Sequence, residues 1–193
     1  MTTIAIHPLT EALWPQLVAL FGPQGACYCC WCSYFRLAPK ERAAMDGAEK
    51  REVLHAATRA PLAPGLIALD GETPVGWVQI TPRAAVPRWN TERTASRPLD
   101  GDDPADPALW AMSCFFIQSK RRGQGLSHAL VEAATVHAAR HGARVVEACP
   151  MRKAKQSKSI GLFVGSVSVF VKAGFEIVAE RKDGRPLMRK VIG

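Results

Sequence analysis

The segment Lys120-Arg121-Arg122-Gly123-Gln124-Gly125-Leu126 has residue types and spacing suited to binding an anion. An apolar run from Trp110 to Ile117 precedes it. In the stretch that follows, Leu126, Leu130, Ala133, Ala134 and Ala138 recur on one side, as in a helix that Gly142 stops. A strand that turns through two glycines into a helix makes a cradle for pyrophosphate. Glycine reaches backbone conformations that let the chain come close to a ligand, and the first amides of a helix have no partner within it. The positive end of the helix dipole adds to the attraction.

A second basic group, Arg152, Lys153, Lys155 and Lys158, and a net charge of +8 also point to an anionic partner. The first group lies inside the glycine turn, which favours a phosphate-bearing cofactor. The second lacks the aromatic interleaving of a single-strand platform and reads equally as a solvated loop, so no nucleic-acid partner is expected. Four of the six cysteines, Cys27, Cys29, Cys30 and Cys32, form two overlapping C-x-x-C spacings. A structural zinc site takes two separated ligand pairs, and the chain has no second pair. A metal would need His55, Cys114 or Cys149 from afar, so none is expected, and the cluster reads as buried or pocket-lining thiols. Neither Cys114 nor Cys149 shows the His/Asp partner pattern of a nucleophile.

The elements that must position these groups follow from the pattern. The chain has 193 residues, 48% hydrophobic and 22% charged, which fits one globular domain over 1–193. No secretory leader is visible, so a cytoplasmic protein without a disulfide framework is expected. The longest apolar run, Gly161 to Val171, is too short to span a bilayer. Thr3 to His7 alternates as a strand, and a helix runs from Leu9-Thr10-Glu11 to Phe21. Cys27 to Phe35 has no period. Pro39 opens a second helical region with a candidate break at Gly47. Gly65 to Leu69 and Val75 to Thr81 form a hairpin on Asp70-Gly71, and Pro82 to Pro107 is a long aperiodic loop of the functional or mobile kind. Ala111 to Ile117 and Arg144 to Cys149 are buried-type strands, the second ended by Pro150. A helix around Gly165 to Ala173 stops at Gly174, and Phe175 to Glu180 and Pro186 to Val191 give two last strands turning at Asp183-Gly184.

This order, with KRRGQGL at the strand-to-helix turn, resembles the GNAT superfamily of N-acetyltransferases. Its signature, Gln/Arg-x-x-Gly-x-Gly/Ala, falls on Lys120 to Gly125, with lysine at the usual Gln/Arg position. FVKAGFEIV, Phe170 to Val178, is similar to the family's second landmark, a helix ending in Gly-Phe before the penultimate strand. The likeness runs from Ile4 to Lys190 in element order. CCWCSYFR and RPLMRK further look like a bacterial subgroup whose acceptor is unnamed. The resemblance implies an α+β fold in α/β/α layers. Its central sheet is mixed and mostly antiparallel, with about six or seven strands and about four helices.

The resemblance also implies acetyl-CoA as donor, giving CoA as product. Amides from Arg121 to Leu126, through Arg122, Gly123, Gln124 and Gly125, would hold the pyrophosphate with help from the charges of Lys120 and Arg122. Backbone at Phe116 and Ile117 would pair with the pantetheine arm, and the second basic group would meet the 3′-phosphate. Many members protonate the leaving thiolate with a tyrosine, and here Phe170 stands at that position. Ser166 or Ser168, acting through a water, is the substitute, Ser168 the one taken as catalytic, although either serves equally to cap or line the helix. The usual glutamate base is missing from Trp110 to Ser113. Glu147 remains, read either as a base raised by apolar neighbours or as a strand glutamate paired with arginine. Trp31, Tyr34, Phe35 and Trp89 are expected at the acceptor site, with core packing as the alternative. The expected partner is a small-molecule primary amine that attacks directly, and a homodimer stays open. Two other readings compete with transfer: a CoA-binding sensor without turnover, and a zinc or thiol protein built on the cysteine cluster.

Overall fold

The computed structural model describes residues 4–152, 163–181 and 184–193. Seven strands form one sheet: β1 (Ile4–Pro8), β2 (Gly65–Asp70), β3 (Thr73–Pro82), β4 (Leu109–Ile117), β5 (Val145–Ala148), β6 (Glu176–Ala179) and β7 (Leu187–Val191). Their order is β1-β2-β3-β4-β5-β7-β6. Only β4 and β5 run parallel; every other neighbouring pair is antiparallel. The helices are α1 (Trp14–Phe21), α2 (Ser33–Arg36), α3 (Pro39–Ala44), α4 (Gly47–Ala57), α5 (Leu126–Arg140) and α6 (Val167–Lys172). None is long and apolar enough to cross a membrane.

The two helices beyond the expected four have local causes. One is the single turn α2 inside the thiol-rich segment. The other comes from the division of the region after Pro39. There Asp46 Oδ1 accepts from the Glu49 amide at 2.8 Å and Glu49 Oε2 accepts from the Asp46 amide at 2.7 Å. This reciprocal cap starts α4 afresh.

Alternation along the strands builds a core on each face of the sheet. Leu66, Ala68, Val78 and Ile80 face α5 through Leu126, Leu130, Val131 and Ala134. Ile67, Leu69 and Trp77 face the other way, against Trp14, Leu17, Leu20 and Phe21 of α1. Gly76 lets α5 settle on β3, since a Cβ there would lie 3.1 Å from both Leu126 and Leu130.

Two irregularities open the middle of the sheet. Pairing of β4 with β5 ends at Met112 opposite Ala148. Opposite β3, Gln79 pairs with Cys114 and Ile80 with Met112, which leaves Ser113 as an extra residue in β4. Such a bulge bends the strand that carries it, and Gln79 Nε2 fixes it by donating to Ser113 Oγ at 2.7 Å. Pro150 has no N–H to continue the ladder. The chain then turns to residues 165–167, where Met151 N donates to Gly165 O at 3.1 Å and Val167 N to Met151 O at 3.0 Å. From Ser113 onward β4 and the continuation of β5 diverge.

The segment between β3 and β4 is packed rather than loose. It holds two single-turn helices, Arg83–Ala85 and Pro87–Asn90. Fully buried Arg83 anchors it, donating to Asn90 Oδ1 at 2.6 Å, to Ser96 O and to the Glu147 carboxylate.

Candidate active site

On the α5 side of the gap lies a cavity of about 500 Å³, bordered by Phe116, Ile117, Arg122, Gly123, Gly125 and Leu126 among others. Among the described residues, β4 has no strand partner on this side beyond Met112, so its backbone at Phe116 and Ile117 faces the opening. The glycine turn closes one end. Gly123 (φ +75°) and Gly125 (φ +82°) take the left-handed conformation, and a Cβ at either would meet only open space. The backbone conformation is what demands glycine here.

The anion cradle is shorter than the sequence motif. Arg121 and Arg122 amides donate to Gln118 O (2.8 Å) and Ser119 O (3.3 Å) within a tight turn. Among the described residues, the amides of Gly123, Gln124 and Gly125 make no backbone hydrogen bond, and no side chain caps the start of α5 at Leu126. The usable amides therefore begin at Gly123. Arg121 also borders the cavity, but its guanidinium is engaged with Asp70 at the end of β2, leaving Arg122 and Lys172 as the bordering cations without an ion pair among the described residues. Lys120 and Gln124 are exposed and do not border it; Gln124 Nε2 donates to Lys120 O at 3.1 Å. Of the second basic group, Arg152 pairs with Glu180, and Lys153, Lys155 and Lys158 lie outside the described residues.

Phe170 is fully buried, with Phe115 and Phe175 at 5.9 and 5.0 Å. An aromatic ring without a phenolic proton thus fills the position at which the resemblance implied a tyrosine. Ser166 and Ser168 border the same cavity, their hydroxyls 3.2 Å apart; Ser166 stands at the N-cap of α6, but its side chain makes no capping hydrogen bond. Glu147 takes the second of its two readings. It has no exposed surface, and its carboxylate is held by Arg83 and by Arg189, whose Nε donates at 2.6 Å. Burial is the largest influence and holds its pKa above the ordinary carboxylate value, although Arg83 and Arg189 pull it down. Arg189 also pairs with Asp102. The resulting Arg83–Glu147–Arg189–Asp102 chain joins β5 and β7 to the long loop. With every oxygen committed and no path to solvent, Glu147 is a structural carboxylate and not a free base.

A second cavity, of about 380 Å³, is bordered by Cys27, Cys30, Cys32, Cys114, Tyr34 and Phe35 among others. Phe163 borders both cavities, and Phe116 stacks on it at 6.3 Å. The chain at this cavity is strained. Ala26, Tyr28, Cys29, Trp31 and Cys32 all have positive φ, at a cost of roughly 1–2 kcal/mol each. Such strain concentrates at functional sites. The structure also brings together thiols far apart in sequence: Cys114 Sγ lies 3.4 Å from Cys32 Sγ, which also accepts from Trp77 Nε1 at 3.2 Å. The Cys114 and Trp77 contacts lower the pKa of Cys32 against its burial, while the Cys32 contact and burial push that of Cys114 well up. Among the described residues no three His, Cys, Asp or Glu side chains converge to hold a metal ion.

Of the four expected acceptor residues, only Tyr34 and Phe35 border this cavity. Trp31 packs between Trp14 (5.9 Å) and Phe21 (5.6 Å), and Trp89 is fully buried against Phe35 at 4.9 Å. Both are core. Sequence reasoning missed Ser113, Gln79 and Arg36, a relay in which Arg36 donates to Gln79 Oε1 at 3.2 Å. The relay depends on the register of β3 against β4, which no local pattern encodes.

The fold and this geometry have clear relatives. The Acetyltransferase (GNAT) family model matches residues 30–164. No curated protein matches the chain in sequence. Among solved structures, yncA from Salmonella typhimurium, with its cofactor acetyl-CoA, is 14% identical with a TM-score of 0.55, covering 98% of this chain and 94% of that one. A ribosomal-protein-alanine N-acetyltransferase from Brucella melitensis is 20% identical with a TM-score of 0.55, covering 97% and 99%. A GCN5-related N-acetyltransferase from Kribbella flavida is 16% identical with a TM-score of 0.53, covering 98% of both chains. At these identities the likeness is one of fold. The family match across most of the chain goes further: with the split sheet and the glycine turn in place, the chain belongs to the GNAT family of acetyltransferases.

Proposed function

We propose that this protein transfers the acetyl group of acetyl-CoA to a primary amine of a small molecule. One observation carries the reading. The β4–β5 gap has a glycine-turn cavity with unpartnered amides on one side and a thiol-lined cavity on the other, with Phe163 bordering both. A donor and an acceptor can approach one another across such a gap.

Acetyl-CoA supplies an activated thioester, and the chain's residues hold and orient it. Amides from Gly123 to Leu126, with Arg122, fit a pyrophosphate, and backbone at Phe116 and Ile117 fits an extended amide-bearing arm. Deprotonating the amine does not demand a carboxylate here. Arg42 and Arg185 border the acceptor cavity, and nearby positive charge favours the neutral form of an amine. Ser168, hydrogen-bonded to Ser166, is the hydroxyl proposed to relay, through a water, the proton released by the attacking nitrogen to the departing sulfur.

Chromatographic measurement of CoA release and N-acetyl product across a panel of amines tests this reading; thiol reagents would also titrate the protein's own cysteines. Product formation with saturable acetyl-CoA dependence is expected. A second reading, CoA binding without turnover, is favoured by the buried Phe170 in place of a phenol. Tight CoA binding with no product from any amine would select it and end the transfer reading.

A further inference from the structure

A third cavity, of about 700 Å³, adjoins the thiol-lined one, and Tyr34, Phe35 and Arg185 border both. The loop before β4 and residues 181 and 185 build it, and their charge is one-sided: Arg88, Arg93, Arg97, Arg181 and Arg185 against Glu92. Elsewhere, among the described residues, Arg36, Arg42, Arg51, Arg122 and Arg140 also lack an ion pair, whereas Arg59 meets Glu11. Arg83, Arg121, Arg144, Arg152 and Arg189 each meet a carboxylate as well. Among the described residues, none of the five arginines at this cavity has such a partner.

Several of them are nonetheless held in place. Arg88 donates to Tyr34 Oη at 3.0 Å and lies 3.9 Å from the centre of that ring. Arg185 donates to Cys149 O at 2.9 Å, and Arg181 to Arg97 O and Pro98 O at 3.3 and 3.4 Å. The Nε atoms of Arg181 and Arg185 are buried and, among the described residues, have no hydrogen-bond partner. A buried cationic donor left unmet is costly, and an oxyanion is the group that meets it best. Arginine's planar fork matches a carboxylate or a phosphate in both charge and shape.

We infer that this cavity is a binding subsite for an anionic group, carboxylate or phosphate, on the acceptor. The acceptor is then an amino acid or an amino phosphate, its amine in the thiol-lined cavity and its anionic end among the arginines. The inference rests on the acetyltransferase reading for the amine's fate. The anion site itself is independent of that reading.

Two measurements separate the two claims. In the first, protein saturated with CoA, so that the donor cradle is filled, is titrated with inorganic phosphate at a fixed ionic strength of about 0.15 M. Saturable binding is expected, weakened about tenfold or more by Arg88→Gln/Arg93→Gln. Arg140→Gln, which removes an exposed charge on α5, should change it by less than about twofold. No binding to the CoA-loaded protein, or equal binding by the double variant, overturns the subsite.

In the second, acetyl transfer to 4-aminobutanoate and O-phosphoethanolamine is compared with transfer to butylamine and ethanolamine. The anionic member of a pair should show about tenfold higher kcat/KM or more, lost in the double variant through KM. Which pair responds distinguishes carboxylate from phosphate. Equal rates for neutral and anionic amines overturn the subsite but leave the transfer reading standing. Phosphate binding without turnover of any amine does the reverse.

Discussion

Removing the Glu147 carboxylate tests whether it locks the long loop to the sheet. The side chain has no exposed surface; Arg83, equally buried, donates to one oxygen and Arg189 to the other. Glu147→Ala leaves a buried guanidinium without its counter-charge. Breaking a buried pair from one end costs about 3–5 kcal/mol. Arg83 keeps Asn90 and Ser96 O, and Arg189 keeps Asp102, which favours the lower end, about 3 kcal/mol. For a chain of this size each kcal/mol moves the melting midpoint by about 2–4 °C, so a fall of about 6–12 °C is expected. Calorimetric melting measures it. The double variant Arg83→Met/Glu147→Leu removes both charges and should recover much of the loss. Acetyl-CoA binding by folded Glu147→Ala should be unchanged, because Glu147 does not border the donor cavity. A fall smaller than about 2 °C would refute the locking argument. Loss of turnover at an unchanged midpoint would restore Glu147 as a base.

Three further outcomes follow from the packing and the electrostatics. Trp89→Ala empties a fully buried site and should cost about 3–5 kcal/mol in urea unfolding. Tyr34→Ala should instead raise the acceptor KM while moving stability by about 1 kcal/mol or less, since Tyr34 is 40% exposed and borders the acceptor cavity. His137 is held neutral. Burial, aided by His141 and Arg140, pushes its pKa down to about 4 from 6.5. The unfolded chain therefore binds the extra proton first on acidification, so stability is lost as pH falls through that window. Urea midpoints at about pH 7 and about pH 4.5 should differ less in His137→Gln than in the unaltered protein.

The motif-bearing half of the molecule was legible because local rules govern it. Glycines at positive φ, an apolar strand before them and a periodic helix after them leave few arrangements for Leu109 to Arg140. Hairpin strands β2 and β3 and the Gly174 stop were readable for the same reason. The acceptor half was not, because its geometry comes from long-range packing. Cys32 meets Cys114, and Arg36 reaches Ser113 through Gln79, only once β3 and β4 are in register. Trp31 and Trp89 show the same limit. Aromatic residues in an aperiodic segment suit a pocket and a core equally, and the sheet above them decides. Even the glycine turn held a surprise, since Arg121 spends its amide on the turn and its charge on Asp70.

The central claim is that the glycine turn and the split sheet bind acetyl-CoA. Calorimetric titration of acetyl-CoA into the unaltered protein and into Gly125→Glu tests it most directly, with melting curves to confirm that both are folded. A side chain at Gly125 projects into open space beside the cavity, and a carboxylate there repels the phosphates. Saturable binding by the unaltered protein, abolished in folded Gly125→Glu, is the predicted result. Equal affinity in the two proteins would contradict the account.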